Sequence, residues 1–168
     1  MTALVLAAAL ASSVIGPQPA PQSAAAAAAV VRSPAMSHAA GTFEVKITPV
    51  APEPDAPADA PADVHGRMKL AKTFHGDLEG TGVGEMLGVM AGQSGAYVAL
   101  ERVTGVLNGR QGGFSMVHRG VMNAGSQELL ITIVPGSGSG DLAGVSGVFH
   151  LTIADGEHRY VLDYSLPE

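Results

Sequence analysis

Beyond Gly41 the apolar residues recur at every second position, and short glycine-bearing turns interrupt them along the whole stretch. Period two is the signature of strands with one covered face, and a helix cannot satisfy it. Thr42–Thr48 alternates strictly, with Phe43, Val45 and Ile47 on one face. Arg67–His75 places Met68, Leu70 and Phe74 on one face around Lys72. Leu129–Val134 is continuous and β-branched, as in a strand covered on both sides. Asp155-Gly156 joins the runs Val148–Ile153 and His158–Leu166, and Asn108-Gly109 joins Tyr97–Leu107 to Phe114–Met122. Both dipeptides favour two-residue hairpin turns, because both central residues tolerate positive φ. Asn123-Ala124-Gly125-Ser126 links the next pair.

Eight strands are predicted, over 41–49, 67–75, 78–89, 96–107, 113–122, 128–134, 145–154 and 158–166. Neighbours joined by tight turns must be antiparallel. The fold class expected is all-β, an eight-stranded antiparallel up-and-down barrel, since closure removes exposed edges. A two-sheet sandwich is the second arrangement compatible with the pattern. With 168 residues the chain fits one domain, assigned to 41–168, behind an Ala/Pro-rich tail over 1–40. The Pro/Asp/Ala stretch 51–63 is expected to lie in an exposed loop over 51–65.

Composition narrows the function classes. Zero cysteines exclude a disulfide framework, thiolate zinc sites and a cysteine nucleophile. A net charge of −6 argues against a nucleic-acid partner, which needs a basic face. Four of the acidic residues, Glu53, Asp55, Asp59 and Asp63, fall in the loop, so the remainder is nearly neutral. The apolar stretch Leu4–Ile15 is too short to span a bilayer, which takes about 20 residues, so no stable membrane insertion is expected. It has the length of a signal-peptide core, but no Lys or Arg precedes it. Met36 is a rival start. The protein is cytoplasmic if translation begins there, and secreted or periplasmic if 1–35 holds a signal peptide.

The motif Gly138-Ser139-Gly140-Asp141-Leu142-Ala143 matches the dinucleotide fingerprint, but a strand-like run follows where that site needs a helix. A tight turn is the better reading, and no cofactor is expected. Gly80, Gly82 and Gly84 share one strand face, where they permit either a bend or the close approach of a ligand, the bend being favoured. The six histidines show no metal-ligand spacing, so no metal is assigned. No nucleophile elbow and no P-loop occur.

Charged residues inside apolar strands carry more information. With a turn centred near Gly92-Gln93, positions summing to about 185 or 186 lie opposite, which makes Glu85 and Glu101 cross-strand neighbours, and the Asn108-Gly109 hairpin brings Arg119 or His118 beside Glu101. A one-residue change of register swaps the partner and leaves two alternatives open. Inside the barrel, Glu101 would join Glu85, Tyr97 and His118 in a polar cluster at an apolar cavity. Outside, it would pair with Arg119 on the surface.

Several segments together resemble a bacterial family catalogued as a domain of unknown function: Gly41-Thr42-Phe43-Glu44-Val45, Phe74 to Gly80, Gly84 to Leu87, Gly95 to Val103, Gly109-Arg110, His118, Gly140 to Gly144 and Ile153 to Gly156. That family is similar in fold to allene oxide cyclase and dirigent barrels, so the resemblance implies an allene oxide cyclase-like barrel with an interior apolar cavity. It implies no catalytic residue. The function expected is binding of a small apolar or amphipathic molecule, with Glu85, Tyr97, Glu101 and His118 as candidate ligand-binding residues. Two alternatives stand beside it: a filled, homo-oligomeric structural barrel, and a cofactor-independent isomerase or cyclase.

Overall fold

The structure, a computed structural model, describes residues 35–51 and 66–167. The signal-like segment and most of the Pro/Asp/Ala loop lie outside the described residues. Nine strands follow in chain order: β1 (Ser37–Pro49), β2 (Gly66–Gly76), β3 (Leu78–Ala91), β4 (Ser94–Leu107), β5 (Arg110–Asn123), β6 (Ser126–Ile133), β7 (Ser139–Gly140), β8 (Ser146–Ala154) and β9 (Glu157–Ser165). Every pairing is antiparallel. One sheet runs from β4 through β3, β2, β1, β9, β8 and β6 to β5, and the β4–β5 pairing closes it. The result is the eight-stranded barrel expected from the alternation, with β7 as an additional short strand beside β5. A two-sheet sandwich is not formed. The first strand starts at Ser37 rather than Gly41, because Ser37–Ala40 pair with Val161–Tyr164 of β9.

Three hairpins close on two residues at positive φ: Asn108 (48°) with Gly109 (80°), Ala124 (46°) with Gly125 (96°), and Asp155 (55°) with Gly156 (79°). Such turns twist in the sense of the flanking strands. In the fingerprint-like segment, Gly140 (φ 62°) and Gly144 (φ 78°) bracket a turn rather than a helix. Its Leu142 is 1% exposed and caps the barrel interior beside Gly112.

Alternation along each strand, combined with the registers, fixes the inward set. Phe43, Phe74 and Gly80 are consecutive cross-strand partners, as are Val103 and Phe114. The two ends of the barrel differ. At the end holding the β2–β3 and β4–β5 turns, Phe43, Phe74, Phe149 and Tyr160 make a ring cluster with centroids 5.2–6.2 Å apart. Leu78, Leu107, Leu142 and Val145 are buried there too. Polar contacts tie this end together: Asp77 Oδ2 accepts from Ala40 N (2.8 Å), Tyr160 Oη from Leu78 N (3.0 Å), and Asn108 Nδ2 donates to Tyr164 Oη (3.0 Å). At the opposite end the inward residues are mostly apolar and are not covered by the described residues. Ile47, Met90 and Ile153 are 49%, 57% and 60% exposed, and Met68, Met86, Tyr97 and Met122 are half-buried. The barrel is sealed at one end and has an apolar mouth at the other.

The inward glycines of β3 divide by cause. A Cβ on Gly80 or Gly84 would collide with the carbonyl oxygen of Thr104 or Leu100, so the β4 backbone presses against β3 at those points. That agrees with the bend reading. At Gly82 the obstacle is a side chain, the carboxylate of Glu101.

Ala124 is an L-residue with a side chain held in the left-handed region, a conformation that costs it about 1 kcal/mol and that asparagine tolerates better. Ala124→Asn, giving an Asn-Gly turn, is expected to raise stability by about 0.5–1 kcal/mol in urea unfolding, with no change in the m value.

Candidate functional site

Three ionisable side chains meet inside the barrel: Lys72 from β2, Glu101 from β4 and His118 from β5, exposed by 8%, 1% and 4%. Each occupies an inward position of its strand. Lys72 is opposite Gly82, Glu101 opposite Gly84 and Met116, and His118 opposite Ala99. Lys72 Nζ donates to Glu101 Oε2 at 2.7 Å. His118 Nε2 approaches the same oxygen to 3.0 Å, but not along a hydrogen-bonding direction, and both Nε2 and Glu101 Oε1 lack an aligned partner. Oε1 occupies the space that the absent Gly82 side chain leaves. On its other side the ammonium faces three rings, 4.7 Å from the centroid of Phe43, 5.7 Å from Phe74 and 5.9 Å from Phe149. The negative faces of aromatic rings attract a cation, and more strongly where water is excluded.

Burial pushes the Glu101 carboxyl up. The close His118 imidazole and the charge and hydrogen bond of Lys72 together outweigh burial and hold it below the usual carboxylate range. Buried charges persist only when paired in this way. A carboxylate stabilised as the anion is a weak proton acceptor, so the cluster is better suited to fixing charge than to abstracting protons.

The sequence-predicted set is brought together only in part. Glu101 and His118 meet inside the barrel. Glu85 does not join them: the β3–β4 register pairs it with Leu100 rather than Glu101, which turns it outward. There Arg67 Nη2 and Nε donate to its Oε2 at 2.7 and 3.0 Å. Tyr97 faces inward, two inward positions from Glu101 and nearer the mouth, with its ring over Gly120. Burial raises its hydroxyl above the ordinary phenol value. Arg119 points outward toward Glu128 (3.8 Å), which disposes of the surface alternative for Glu101. Lys72 was legible as an inward position, at the centre of the Met68–Phe74 face, yet sequence reasoning gave it no role. Its partner lies 29 residues away on a strand that is not its neighbour, so no pairing arithmetic reaches it.

The remaining histidines lie elsewhere. His38 Nδ1 and His150 Nε2 contact separate oxygens of Asp163 on the outer face, at 2.7 and 3.1 Å. The His38 hydrogen bond, with help from His150, holds the Asp163 carboxyl below its ordinary value. His158 stacks on Phe43 with centroids 5.0 Å apart. Among the described residues no group of three or more His, Asp or Glu side chains is arranged to hold a metal.

Removing one member of a buried ion pair strands the other, at a cost of about 3–5 kcal/mol, whereas replacing both by apolar residues is often near neutral. In urea unfolding, Lys72→Met and Glu101→Met alone should each cost about 3–5 kcal/mol, and the double variant less than either. The pH dependence has a defined sign. A carboxyl lowered in the folded state contributes stability that is full above its unfolded value, about 4.3, and is lost as pH falls through the folded value. Unfolding free energy should therefore fall more steeply below about pH 5 in the wild type than in the double variant. Parallel slopes would show that Glu101 carries no such linkage.

The sequence profile of DUF3224, described as a protein of unknown function, matches residues 39–164. The crystal structure of a DUF3224 protein of unknown function from Shewanella oneidensis MR-1 is similar, with 39% sequence identity and a TM-score of 0.70. The match covers 80% of this chain and 100% of that one. No curated protein matches the chain. A profile match that spans nearly all of the barrel, and a relative of the same fold at this identity, place the chain in the DUF3224 family.

Proposed function

We propose that the barrel binds a small amphipathic molecule through its open mouth, with the molecule's apolar part against inward side chains and its polar end directed at the buried cluster. The observation that carries this is the asymmetry of the interior. Apolar side chains that point inward are buried at one end and 49–60% exposed at the other. Apolar surface facing inward but left wet is what a ligand of matching character would cover, and barrel mouths commonly serve as such sites. Tyr97 and His118 are polar groups on the mouth side of Glu101, and His118 Nε2 has no aligned partner of its own. Glu101 and Lys72 lie deeper and hold the floor polar.

Binding is favoured over the isomerase or cyclase reading because Glu101, the one buried carboxylate among the described residues, is already engaged by the Lys72 ammonium at 2.7 Å rather than free to take a proton. The filled-barrel reading draws support from the sealed end alone.

Titration with the fluorescent probe anilinonaphthalene sulfonate tests the proposal. One saturable probe molecule per chain is expected. Ile47→Glu, which puts a negative charge on the inward mouth, should weaken binding at least tenfold, an effect of about 1.4 kcal/mol or more. Leu100→Glu, on the outer face, should leave it unchanged. The opposite pattern would place the probe on the outside of the barrel and overturn the reading.

A further inference from the structure

The buried cluster discriminates between guests by charge. Lys72 and Glu101 cancel one another through their 2.7 Å contact, which leaves His118 as the member whose charge is open. Its Nε2 stands 3.0 Å from Glu101 Oε2. Two lone pairs at that distance would repel, so Nε2 carries a hydrogen on the side of the carboxylate. The ring can then take a second proton, on Nδ1, without giving up its place. Around the imidazole, β2 contributes Lys72, β4 contributes Glu101 and Tyr97, β3 contributes Gly82 and Gly84, and β6 contributes Ile131, its direct cross-strand partner. His158 on β9 also points inward, stacked on Phe43 with centroids 5.0 Å apart.

The acceptors of the cluster are committed and its donors are in surplus. Oε2 of Glu101 receives Lys72, and Oε1 is buried in the space at Gly82 with the Phe74 ring close by. His118 Nε2 has no aligned acceptor, and Tyr97, nearer the mouth, keeps its hydroxyl proton because burial raises it. A cationic head entering from the mouth would meet the Lys72 ammonium and find no free acceptor.

We infer that the guest carries a single carboxylate head, and that its binding adds one proton from solvent to His118, whose imidazolium balances the new charge. This deepens the mouth-binding reading and rests on it. The charges then sum to zero: Lys72 against Glu101, and imidazolium against guest. A dianionic phosphate head would leave one negative charge uncompensated, and buried charges persist only when paired.

Isothermal titration calorimetry of the full chain with octanoate, octanol and octylamine is the test. Octanoate should bind one per chain, about tenfold or more tighter than octylamine at about pH 6. Its affinity should fall by about tenfold or more between about pH 6 and 8.5, across the range in which histidines change charge. Octanol, with no charge to balance, should bind equally at both ends of that range. Near neutrality, buffers of different ionisation enthalpy should report uptake of roughly one proton per octanoate. His118→Gln should abolish the pH dependence and the uptake, whereas His158→Gln, at the other inward histidine, should keep both. Should His118→Gln fail to fold, the wild-type proton uptake set against that of His158→Gln decides. Equal affinity for the three heads, an octanoate affinity independent of pH, or loss of the dependence in His158→Gln overturns the inference and leaves mouth binding standing. Failure of all three probes to bind overturns both.

Discussion

The contact between Lys72 Nζ and Glu101 Oε2 sets conditions on much of the interior around it. Two charges inside a sheet closed on all sides cost several kcal/mol each in lost hydration, and they stay charged only if their surroundings replace water. Several neighbours in this barrel do part of that replacement, although Glu101 Oε1 has no aligned partner. The rings of Phe43, Phe74 and Phe149 face the ammonium where it does not meet the carboxylate. His118 approaches the carboxylate from a third strand, and Gly82 supplies the space that Oε1 fills. An alanine at 82, a larger residue at 99 or a shorter one at 72 would each break the fit at a different atom. The pair also joins β2 to β4 across β3, so strands that share no backbone pairing are coupled through the interior.

That coupling bears on where the barrel is rigid. The aromatic cluster and the Asp77, Asn108, Tyr160 and Tyr164 contacts hold one end shut. The buried cluster forms the boundary between that packed half and the mouth. Below the boundary the contacts are dense and the side chains fully covered. Above it the inward residues include four methionines, Met68, Met86, Met90 and Met122, contributed by three strands. Methionine is unbranched and polarisable, and it adapts to more than one shape of neighbour. A rigid polar floor beneath an adaptable apolar wall can orient one end of a guest while tolerating variation at the other.

The sequence disclosed the strands and the closure because both follow from local rules. Asn108-Gly109 and Asp155-Gly156 form the turns their residue types demand, and each strand's alternation survives in its burial. The site was legible only where its members lay on strands joined by such turns. Glu101 and His118 were found that way, although Met116 rather than His118 is the direct partner of Glu101. Glu85 was misplaced by a single residue of register. The β3–β4 turn is two residues long and centred between Gly92 and Gln93, so Ala91 pairs with Ser94 and every partner moves by one. Because side chains alternate, that step transfers Glu85 from the inside to the outside. Lys72 was hidden for a different reason. Its pairing crosses an intervening strand whose inward residue is glycine, and the absence of a side chain at 82 is what lets the two reach each other.

The glycine run serves two roles. Gly80 and Gly84 are required by backbone approach, which any tightly coiled barrel could demand of its strands. Gly82 is required by side chains, chiefly the Glu101 carboxylate with the Phe74 ring close behind it. If the cluster served stability only, apolar residues of similar volume at 72 and 101 would fill the interior at least as well, and a side chain at 82 could then be accommodated. A chain that keeps the ion pair, the cage of rings and the matching gap together retains an arrangement that apolar residues of similar volume can often equal in folding energy. The charges can fix the register of strands across the barrel or, on the binding proposed above, present a polar floor to the molecule that enters the mouth. The unaligned Nε2 of His118, one inward position nearer the mouth than Glu101, favours the second, because fixing register would be served better by a network whose every member is satisfied.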